Sequence, residues 1–224
     1  MDNTAKELYI IGAGGFGREV ADTVREVNKA SASGPVYRVA GFIDDDESRW
    51  GKAVNGIDVK GGVEYLRGLA NGGDKPCAVI TIAAPRIKES IASRLDGFVE
   101  WVNIIHPLAF LTNTATLGIG NIVQHFASIN TDARLGDHCI VNCNSVIGHD
   151  VVLEDYVSVM PQNGIMGFCE LKKRSYIGVG AVMIQNVVIG EDATVGAGTV
   201  VIRDVPPGAT VVGNPARQIK NTEG

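Results

Sequence analysis

The sequence predicts a small Rossmann-like α/β domain followed by a parallel β-helix of hexapeptide repeats. Three observations lead to this fold class. Aliphatic residues recur at every sixth position through the second half, a glycine-rich turn follows a short apolar strand near the start, and the composition suits tight turns, with 28 glycines and only 6% aromatic residues among 224. A chain of this length accommodates two modest domains. We expect a nucleotide-binding domain at 1–104, a β-helix at 105–205 and a C-terminal tail at 206–224.

The first domain begins with an apolar strand, Glu7 to Ile11, and the turn GAGGFG of residues 12–17. A helix is expected from about Arg18 to Val27, so the pattern G-x-G-x-x-G lies between a strand and a helix. Such glycines let backbone N–H groups and the helix N-terminus approach a diphosphate. The alternative is a glycine turn that serves only close packing of strand and helix.

A second strand, Tyr37 to Ile43, ends in the acidic run Asp44-Asp45-Asp46, at a carboxyl strand end where open α/β sheets bind ligands. One of these acids holds a ribose or a base, or the run is a solvated turn. The remaining predicted elements are a strand at Lys75 to Ala83, a helix at Pro85 to Leu95 and a strand at Val99 to Ile104. The domain is too short for a full dinucleotide fold.

The second half follows a strict period of six. Every sixth residue from Ile105 to Val201 is aliphatic or Met, over seventeen positions in succession. A small or slim side chain stands two residues before most of them, as at Ala127 and Cys139, and Gly or Asn often follows, as at Gly148. We expect the large and small residues to face inward and the Gly or Asn to form a tight or left-handed corner.

Three hexads make one coil of 18 residues around a three-sided prism. Each strand pairs with its copy 18 residues later at about 4.8 Å. No insertion interrupts the register between Ile105 and Val201. Period alone does not give the hand of the coil, because parallel crossovers are usually right-handed.

Composition excludes several classes of function. The net charge of −5 provides no basic field for nucleic acid, and no apolar stretch approaches the roughly 20 residues of a bilayer-spanning helix. The N-terminus lacks the basic and apolar regions of a signal peptide, and the four cysteines form no close metal-ligand pair. A cytoplasmic protein with reduced thiols is therefore expected, with neither nucleic acid nor membrane as a partner.

Coil stacking singles out one of the four histidines. Residues 18 apart share a column, so His149 stands above Thr131 and below Gly167, whose missing side chain leaves a notch beside the imidazole. Asp150 follows His149 and Asp132 lies one coil beneath, so a carboxylate can orient the ring and stabilise its charged form. A histidine with a neighbouring acid is the minimum for a general base. The alternative is a polar corner exposed to water.

Zinc is not expected. The histidines are 19, 13 and 11 residues apart. Those spacings do not reproduce the close second and third ligands of the three-histidine zinc site in gamma carbonic anhydrases, another class of hexapeptide prism.

Five motifs in order give the chain a specific resemblance. GAGGFG, GFIDDD, NIIHP at the entrance to the repeats, IGHD within them and VVGNPARQI near the end together resemble the PglD/NeuD-like sugar O/N-acetyltransferases. The resemblance spans nearly the whole chain. It implies a left-handed β-helix and transfer from acetyl-CoA to a nucleotide-linked 4-amino sugar, with no metal. It also implies a homotrimer with active sites between subunits and a nucleotide sugar held by the N-terminal domain.

Site residues follow from the same resemblance. It makes His149 the general base and Asp150 its acidic companion, in direct transfer without a covalent acyl-enzyme. The resemblance also implies that acetyl-CoA contacts the chain mainly through backbone groups, at Gly167, Val179 and Ala197. The nucleotide sugar is expected at Gly12, Gly14, Asp44 and Asp45. Phe16 and Ser158 depart from family members that have histidine at those positions.

Three alternatives remain at the level of sequence. The acceptor is a sugar hydroxyl, as in sialic acid O-acetylation; the glycine loop binds NAD in an oxidoreductase; or the prism is a noncatalytic scaffold. The dense basic run Lys172-Lys173-Arg174 either meets a coenzyme phosphate or forms a solvated corner.

Overall fold

The computed structural model describes residues 5–70 and 75–221. These form two compact units. One comprises the chain up to Ile82 together with Ile87–Pro107, and the other comprises Ala83–Arg86 and the chain from Leu108 onward.

The first unit is a parallel sheet with helices. Its elements are β1 (Lys6–Ile11), α1 (Gly15–Ala30), β2 (Tyr37–Ile43), a 3₁₀ turn (Glu47–Arg49), β3 (Ala53–Val54), β4 (Ile57–Gly61), α2 (Val63–Ala70), β5 (Cys77–Ile80), α3 (Pro85–Arg94), β6 (Glu100–Trp101) and β7 (Ile104–Ile105). The strand order is β3-β4-β2-β1-β5-β6, parallel except for the β3–β4 hairpin. Fully buried Leu8, Ile10, Phe42, Leu66 and Val79 form the core.

Most predicted elements of this unit are present. β2 has its predicted bounds, while α1 begins inside the glycine turn and extends to Ala30, and β5 is shorter than predicted. The predicted strand from Val99 is divided into β6 and β7. The β3–β4 hairpin and α2 were not predicted, because their apolar patterns cover too few residues to establish a period.

The second unit is a three-sided prism of two-residue strands, which confirms the predicted hexapeptide β-helix. Face 1 consists of Ile122–Val123, Ile140–Val141, Ser158–Val159, Tyr176–Ile177, Thr194–Val195 and Ala209–Val212. Face 2 consists of Phe110–Leu111, Ser128–Ile129, Val146–Ile147, Gly164–Ile165, Val182–Met183 and Val200–Val201. Face 3 consists of Thr116–Leu117, Arg134–Leu135, Val152–Leu153, Glu170–Leu171 and Val188–Ile189. Pairing within each face is parallel and joins residues 18 apart in the repeats, as at Val146 and Gly164.

The interior follows the predicted period. The aliphatic residue of each hexad is almost fully buried from Val123 to Val201, whereas Ile105, Leu111 and Leu117 are half-buried. The small positions are also buried, including Cys139 and Cys169. The position of a residue within its hexad therefore determines whether its side chain points into the prism or away from it.

The corners differ from the prediction. The left-handed residue is the third after the inward aliphatic residue, as at Asp132, Asp150 and Phe168, and not the Gly or Asn that follows it directly. Gly148 is needed for a different reason, since a Cβ there would lie 2.8 Å from the Gly167 nitrogen in the next coil. Close stacking of coils, rather than positive φ, explains this glycine.

The C-terminal segment continues the prism. Ala209–Val212 pairs in parallel with the strand Thr194–Val195, and Arg217–Asn221 returns antiparallel to it. Within the described ranges, no helix is long and apolar enough to cross a membrane.

The cysteines provide a test of the inward positions. Burial raises the pKa of Cys77 to about 11 and also raises the pKa of Cys169, whereas Cys143 is half-buried at a corner. At pH 8 the Cys77 thiolate should be about a hundredfold scarcer than that of an unperturbed thiol. We expect an alkylating reagent to modify Cys143 first, as followed by mass spectrometry. Equally fast labelling of Cys139 or Cys169 in the folded protein would contradict their place inside the prism.

Candidate functional site

His149 lies on the corner between faces 2 and 3. It follows the strand Val146–Ile147, and that strand pairs with Ser128–Ile129 below and Gly164–Ile165 above. The register therefore places Thr131 beneath His149 and Gly167 above it, as predicted from the period.

The imidazole is bonded to Asp150. Nδ1 of His149 lies 2.9 Å from Oδ2 of Asp150, and the two side chains are 50% and 40% exposed. Because a carboxylate only accepts, Nδ1 is the donor in this bond, and in the neutral form of the imidazole Nε2 then holds the lone pair. Asp150 adopts the left-handed corner conformation, and its backbone N–H donates to the Thr131 carbonyl oxygen at 2.9 Å. The arrangement presents a basic nitrogen to solvent.

Asp132 has a different role from Asp150. Its backbone N–H donates to the Thr114 hydroxyl at 3.0 Å, and its carboxylate is not the one that is hydrogen-bonded to the imidazole. The carboxylate that orients the ring is therefore that of Asp150. Phe168 provides a second contact, with its ring edge-to-face against the imidazole at 5.0 Å between centroids. Phe168 is not among the site residues predicted from the sequence, although its position beside Gly167 in the next coil places it near His149.

Gly167 forms a notch over the imidazole. A Cβ at this position would lie 2.5 Å from Nε2 of His149, so any side chain would displace the ring. Among the described residues, no protein acceptor receives the Gly167 N–H. A basic nitrogen and an available N–H donor thus lie at one corner, which suits removal of a proton beside a developing oxyanion.

Val179 and Ala197 lie on another corner. They follow face 1 strands, so their column borders face 2 on the side away from His149. The Gly198 N–H donates to the Val179 carbonyl oxygen at 2.8 Å, and a Cβ on Gly178 would lie 2.7 Å from the Ala197 nitrogen. Within one chain, the structure brings His149, Asp150 and Gly167 together and leaves Val179 and Ala197 apart from them.

The other histidines have different surroundings. The buried ring of His138 stacks on Tyr156, with centroids 5.4 Å apart, and the ring of His125 packs edge-to-face on Phe126. In the part of the chain that the structure describes, no three His, Cys, Asp or Glu side chains group as metal ligands.

The glycine loop divides into packed and open positions. A Cβ on Gly12 would lie 2.8 Å from the Thr81 hydroxyl, and one on Gly17 would overlap the Gly12 carbonyl oxygen. A Cβ on Gly14 would meet nothing within 4 Å. Gly14 caps α1 without a side-chain hydrogen bond, and the first turn of α1 contains no acid. Close packing of strand and helix therefore explains the glycines at positions 12 and 17. The open start of the helix at Gly14 suits an anion.

Asp44 and Asp45 both have partners in their own domain. Asp44 accepts from the backbone N–H groups of Ala13 and Asp46, each at 3.0 Å. Asp45 accepts from the Val63 N–H at 2.9 Å and from Arg94 at 3.0 Å. These bonds fix the loop after β2 and the start of α2, and the assignment of both acids to the nucleotide sugar stays a prediction.

Two further predicted features have structural partners. Lys172 pairs with Glu154 and Glu170, and Arg174 pairs with Asp192, so these two cations of the basic run already have carboxylate partners. Ser158 is buried, and its hydroxyl donates to the Ala83 carbonyl oxygen at 2.8 Å.

Comparisons with known proteins extend over nearly the whole chain. Residues 7–95 match the family described as PglD N-terminal domain. GDP-perosamine N-acetyltransferase from Escherichia coli O157:H7 is 33% identical over 227 aligned residues, which cover 96% of this chain and 97% of that protein.

Solved structures agree with this match. A histidine-to-asparagine variant of perosamine N-acetyltransferase from Caulobacter crescentus, in complex with CoA and GDP-perosamine, superposes with a TM-score of 0.87 at 30% identity and covers 97% of this chain and 98% of that one. The acetyltransferase domain of PglB from Neisseria gonorrhoeae, in complex with acetyl coenzyme A, has a TM-score of 0.85 at 29% identity, over 96% of this chain and all of that one.

Proposed function

The chain belongs to the PglD/NeuD-like family of sugar acetyltransferases, and on that premise we propose that it N-acetylates a nucleotide-linked 4-amino sugar with acetyl-CoA. The observation that carries the proposal is the corner at which Asp150 orients His149 beneath the side-chain-free Gly167. The full-length relative that acts on GDP-perosamine favours the amine over a hydroxyl as acceptor.

His149 is the general base of this proposal. Asp150 accepts the hydrogen bond from Nδ1, so Nε2 takes a proton from the sugar amine as the amine attacks the thioester carbonyl carbon and forms the C–N bond. The C–S bond then breaks, and the sulfur leaves as a thiolate that takes the proton back from Nε2 and departs as the thiol. The Gly167 N–H is the donor for the oxygen that gains charge during transfer. No side chain of this chain is acylated in the proposed reaction.

Acetyl-CoA is assigned to the corner at which the His149 imidazole packs against the side-chain-free Gly167. When bound, it supplies an acetyl group activated as a thioester. We assign Gly167, Val179 and Ala197 to its channel, with backbone groups as the main contacts. The N-terminal domain is assigned the nucleotide sugar, with its diphosphate at the open helix start at Gly14 and with Gly12, Asp44 and Asp45 shaping that loop.

Face 2 supports a homotrimer. Its outward side chains Phe110, Val146 and Val182 are 59%, 38% and 41% exposed, and Ile184 beside them is 50% exposed. Face 3 instead presents charged residues such as Arg134 and Glu170. Exposed apolar side chains that gather on one face favour an interaction surface. Cyclic symmetry about an axis parallel to the prism would bring the His149 corner of one subunit to the Val179 corner of its neighbour, completing a site between subunits.

An aspartate on face 2 should break this trimer. Val146→Asp would bury a carboxylate at the interface, so the mass by light scattering should fall from three times 23.6 kDa to a single chain. Val152→Asp introduces the same change on face 3 and should leave the mass unchanged. A wild-type protein that is monomeric at all concentrations would contradict the trimer.

The function is tested by release of free thiol from acetyl-CoA. GDP-perosamine is the first acceptor to examine, followed by UDP-linked 4-amino sugars and by the corresponding 4-hydroxy sugars. Thiol release with an amino sugar and none with its hydroxy counterpart is the expected result. Release only with hydroxy sugars would replace N-acetylation by O-acetylation. We also propose a cytoplasmic location, which the four free thiols suit.

A further inference from the structure

A four-residue segment, Ala83–Arg86, belongs to the prism although the chain on both sides of it does not. The chain up to Ile82 and the stretch Ile87–Pro107 are parts of the first unit, whereas these four residues are part of the second. The segment follows β5 and includes the first two residues of α3. Specific bonds to the prism are therefore expected along it.

Two side chains of the prism hold this segment. The hydroxyl of the fully buried Ser158 donates to the Ala83 carbonyl oxygen at 2.8 Å. At the other end, Oδ2 of Asp192 lies 2.9 Å from a guanidinium nitrogen of Arg86. Asp192 is itself fixed, because Arg174 donates to both of its carboxylate oxygens at 2.9 Å, and these bonds hold its pKa below the usual range. Ser158 and Asp192 are thus two anchors, one at each end of the segment.

The two anchors lie on different coils. The strand that begins at Ser158 pairs with Tyr176–Ile177, and that strand pairs with Thr194–Val195. Asp192 stands at the corner two residues before Thr194. The anchors are therefore about two coils apart, roughly 10 Å at the spacing of paired strands. A short segment that is bonded at both ends retains little conformational freedom.

The residues directly before the segment contact the glycine loop. The Thr81 backbone N–H and hydroxyl each donate to the Ile11 carbonyl oxygen at 2.8 Å, and the hydroxyl lies 3.2 Å from the Gly12 carbonyl oxygen. A Cβ on Gly12 would lie 2.8 Å from the Thr81 hydroxyl and 3.3 Å from the Ile82 side chain. Ala83 is the next residue along the chain. A shift of Ala83 would therefore move the two residues that pack on the glycine loop.

We propose that Ser158 and Asp192 are positioning residues for the nucleotide sugar. By holding Ala83–Arg86 on the prism, they keep the end of β5 in place against the glycine loop. The inference rests on the proposed function, which assigns that loop to the nucleotide sugar. Ser158 stands where the family members that this chain resembles have histidine, so the bond to Ala83 belongs to this chain and is not carried over from the resemblance.

Variants at the two ends of the segment test this role. Ser158→Ala should raise the KM for GDP-perosamine about fivefold, the equivalent of one lost hydrogen bond. Arg86→Ala should raise it about twofold, because the Arg86 side chain is 75% exposed and exposed ion pairs contribute modestly. The double variant should show about a tenfold rise. The KM for acetyl-CoA should stay within about twofold of the wild-type value in all three, and Arg86→Lys should restore most of the loss.

Ser145→Ala is the matched control for the serine variant. The Ser145 hydroxyl also donates to a backbone carbonyl oxygen within the prism, that of Met160 at 2.9 Å, and it does not touch the segment. This variant should leave the KM for GDP-perosamine unchanged. An equal rise in Ser145→Ala and Ser158→Ala would reveal a general weakening of the prism and would overturn the positioning role.

Hydrogen exchange in the free protein provides a readout that does not depend on turnover. The double variant should exchange faster than the wild type at residues 80–87 and in the glycine loop at 11–17, as followed by mass spectrometry, while the prism strands keep their wild-type rates. Unchanged exchange at 11–17 would overturn the inference in an active enzyme, and so would a rise confined to the KM for acetyl-CoA. A wild type inactive with every acceptor, with faster exchange at 11–17 in the double variant, would retain the link from the anchors to the loop and reject the acceptor class.

Discussion

Replacement of His149 by alanine should lower turnover by roughly 10² to 10⁴-fold, the usual contribution of a general base. The variant removes the nitrogen that accepts the proton and leaves the corner backbone in place, because the Asp150 N–H still bonds to the Thr131 carbonyl oxygen. Thiol release under saturating acetyl-CoA and acceptor measures kcat directly. Binding of CoA should be retained, as in the histidine variant of the Caulobacter crescentus enzyme that was solved with CoA and GDP-perosamine.

Two acidic variants provide the matched comparison for this result. Asp150 is bonded to the imidazole, whereas the Asp132 carboxylate one coil beneath has no such bond. Asp150→Asn should therefore reduce kcat about tenfold, and Asp132→Asn should leave it within about twofold, given that exposed pairs contribute modestly. A His149→Ala protein with a wild-type rate and a wild-type mass would refute the role of His149 as the base.

Gly167→Ala should reduce turnover by about 10²-fold even though it adds only one methyl group. That methyl would lie 2.5 Å from Nε2 of His149, so the imidazole must move, and a displacement of about 1 Å in a reacting group is enough for such a loss. Steady-state thiol release and crystallographic placement of the ring are the two measurements. A loss confined to kcat would indicate displacement of the base, and a large rise in the KM for acetyl-CoA would indicate obstruction of its channel.

Gly68→Ala is the control for the glycine substitution. A Cβ at this α2 position meets nothing within 4 Å, and alanine is the better helix former. We expect full activity and a stability equal to or slightly above that of the wild type in thermal unfolding. If Gly167→Ala behaved like Gly68→Ala, the notch over His149 would have no part in catalysis.

The period of six was sufficient to predict the neighbours of His149. Since every sixth residue faces inward without interruption, a residue 18 positions away must lie directly above or below, and Gly167 lies above His149 as this spacing predicts. The same reasoning identified Asp132 beneath Asp150. It could not tell which carboxylate bonds to the ring, because that depends on side-chain rotamers, which the period does not determine.

The left-handed corner position was not predictable from residue type. Phe168 and Asp150 adopt positive φ although neither is glycine, because the corner geometry and the ladder bonds impose it on whichever residue stands third. The repeated glycines predicted a left-handed corner at Gly148, whereas this position needs glycine because the backbone of the neighbouring coil lies too close for a side chain. The hairpin and α2 of the first domain were missed for a simpler reason, since segments of two, five and eight residues carry too little pattern.

The stacking of the coils also limits how this chain can change in length during evolution. Removal of six residues between Asp150 and Gly167 would keep aliphatic residues inside the prism, yet would rotate everything after the deletion by one face. Lys173 would then stand over His149 in place of Gly167. Removal of 18 residues would preserve the faces and shorten the prism by one coil, about 4.8 Å. Lengths of insertion or deletion that keep the fold are therefore about three times as numerous as those that keep the site, because the fold needs multiples of six and the site needs multiples of 18. Relatives that differ in coil number are informative only when aligned by column.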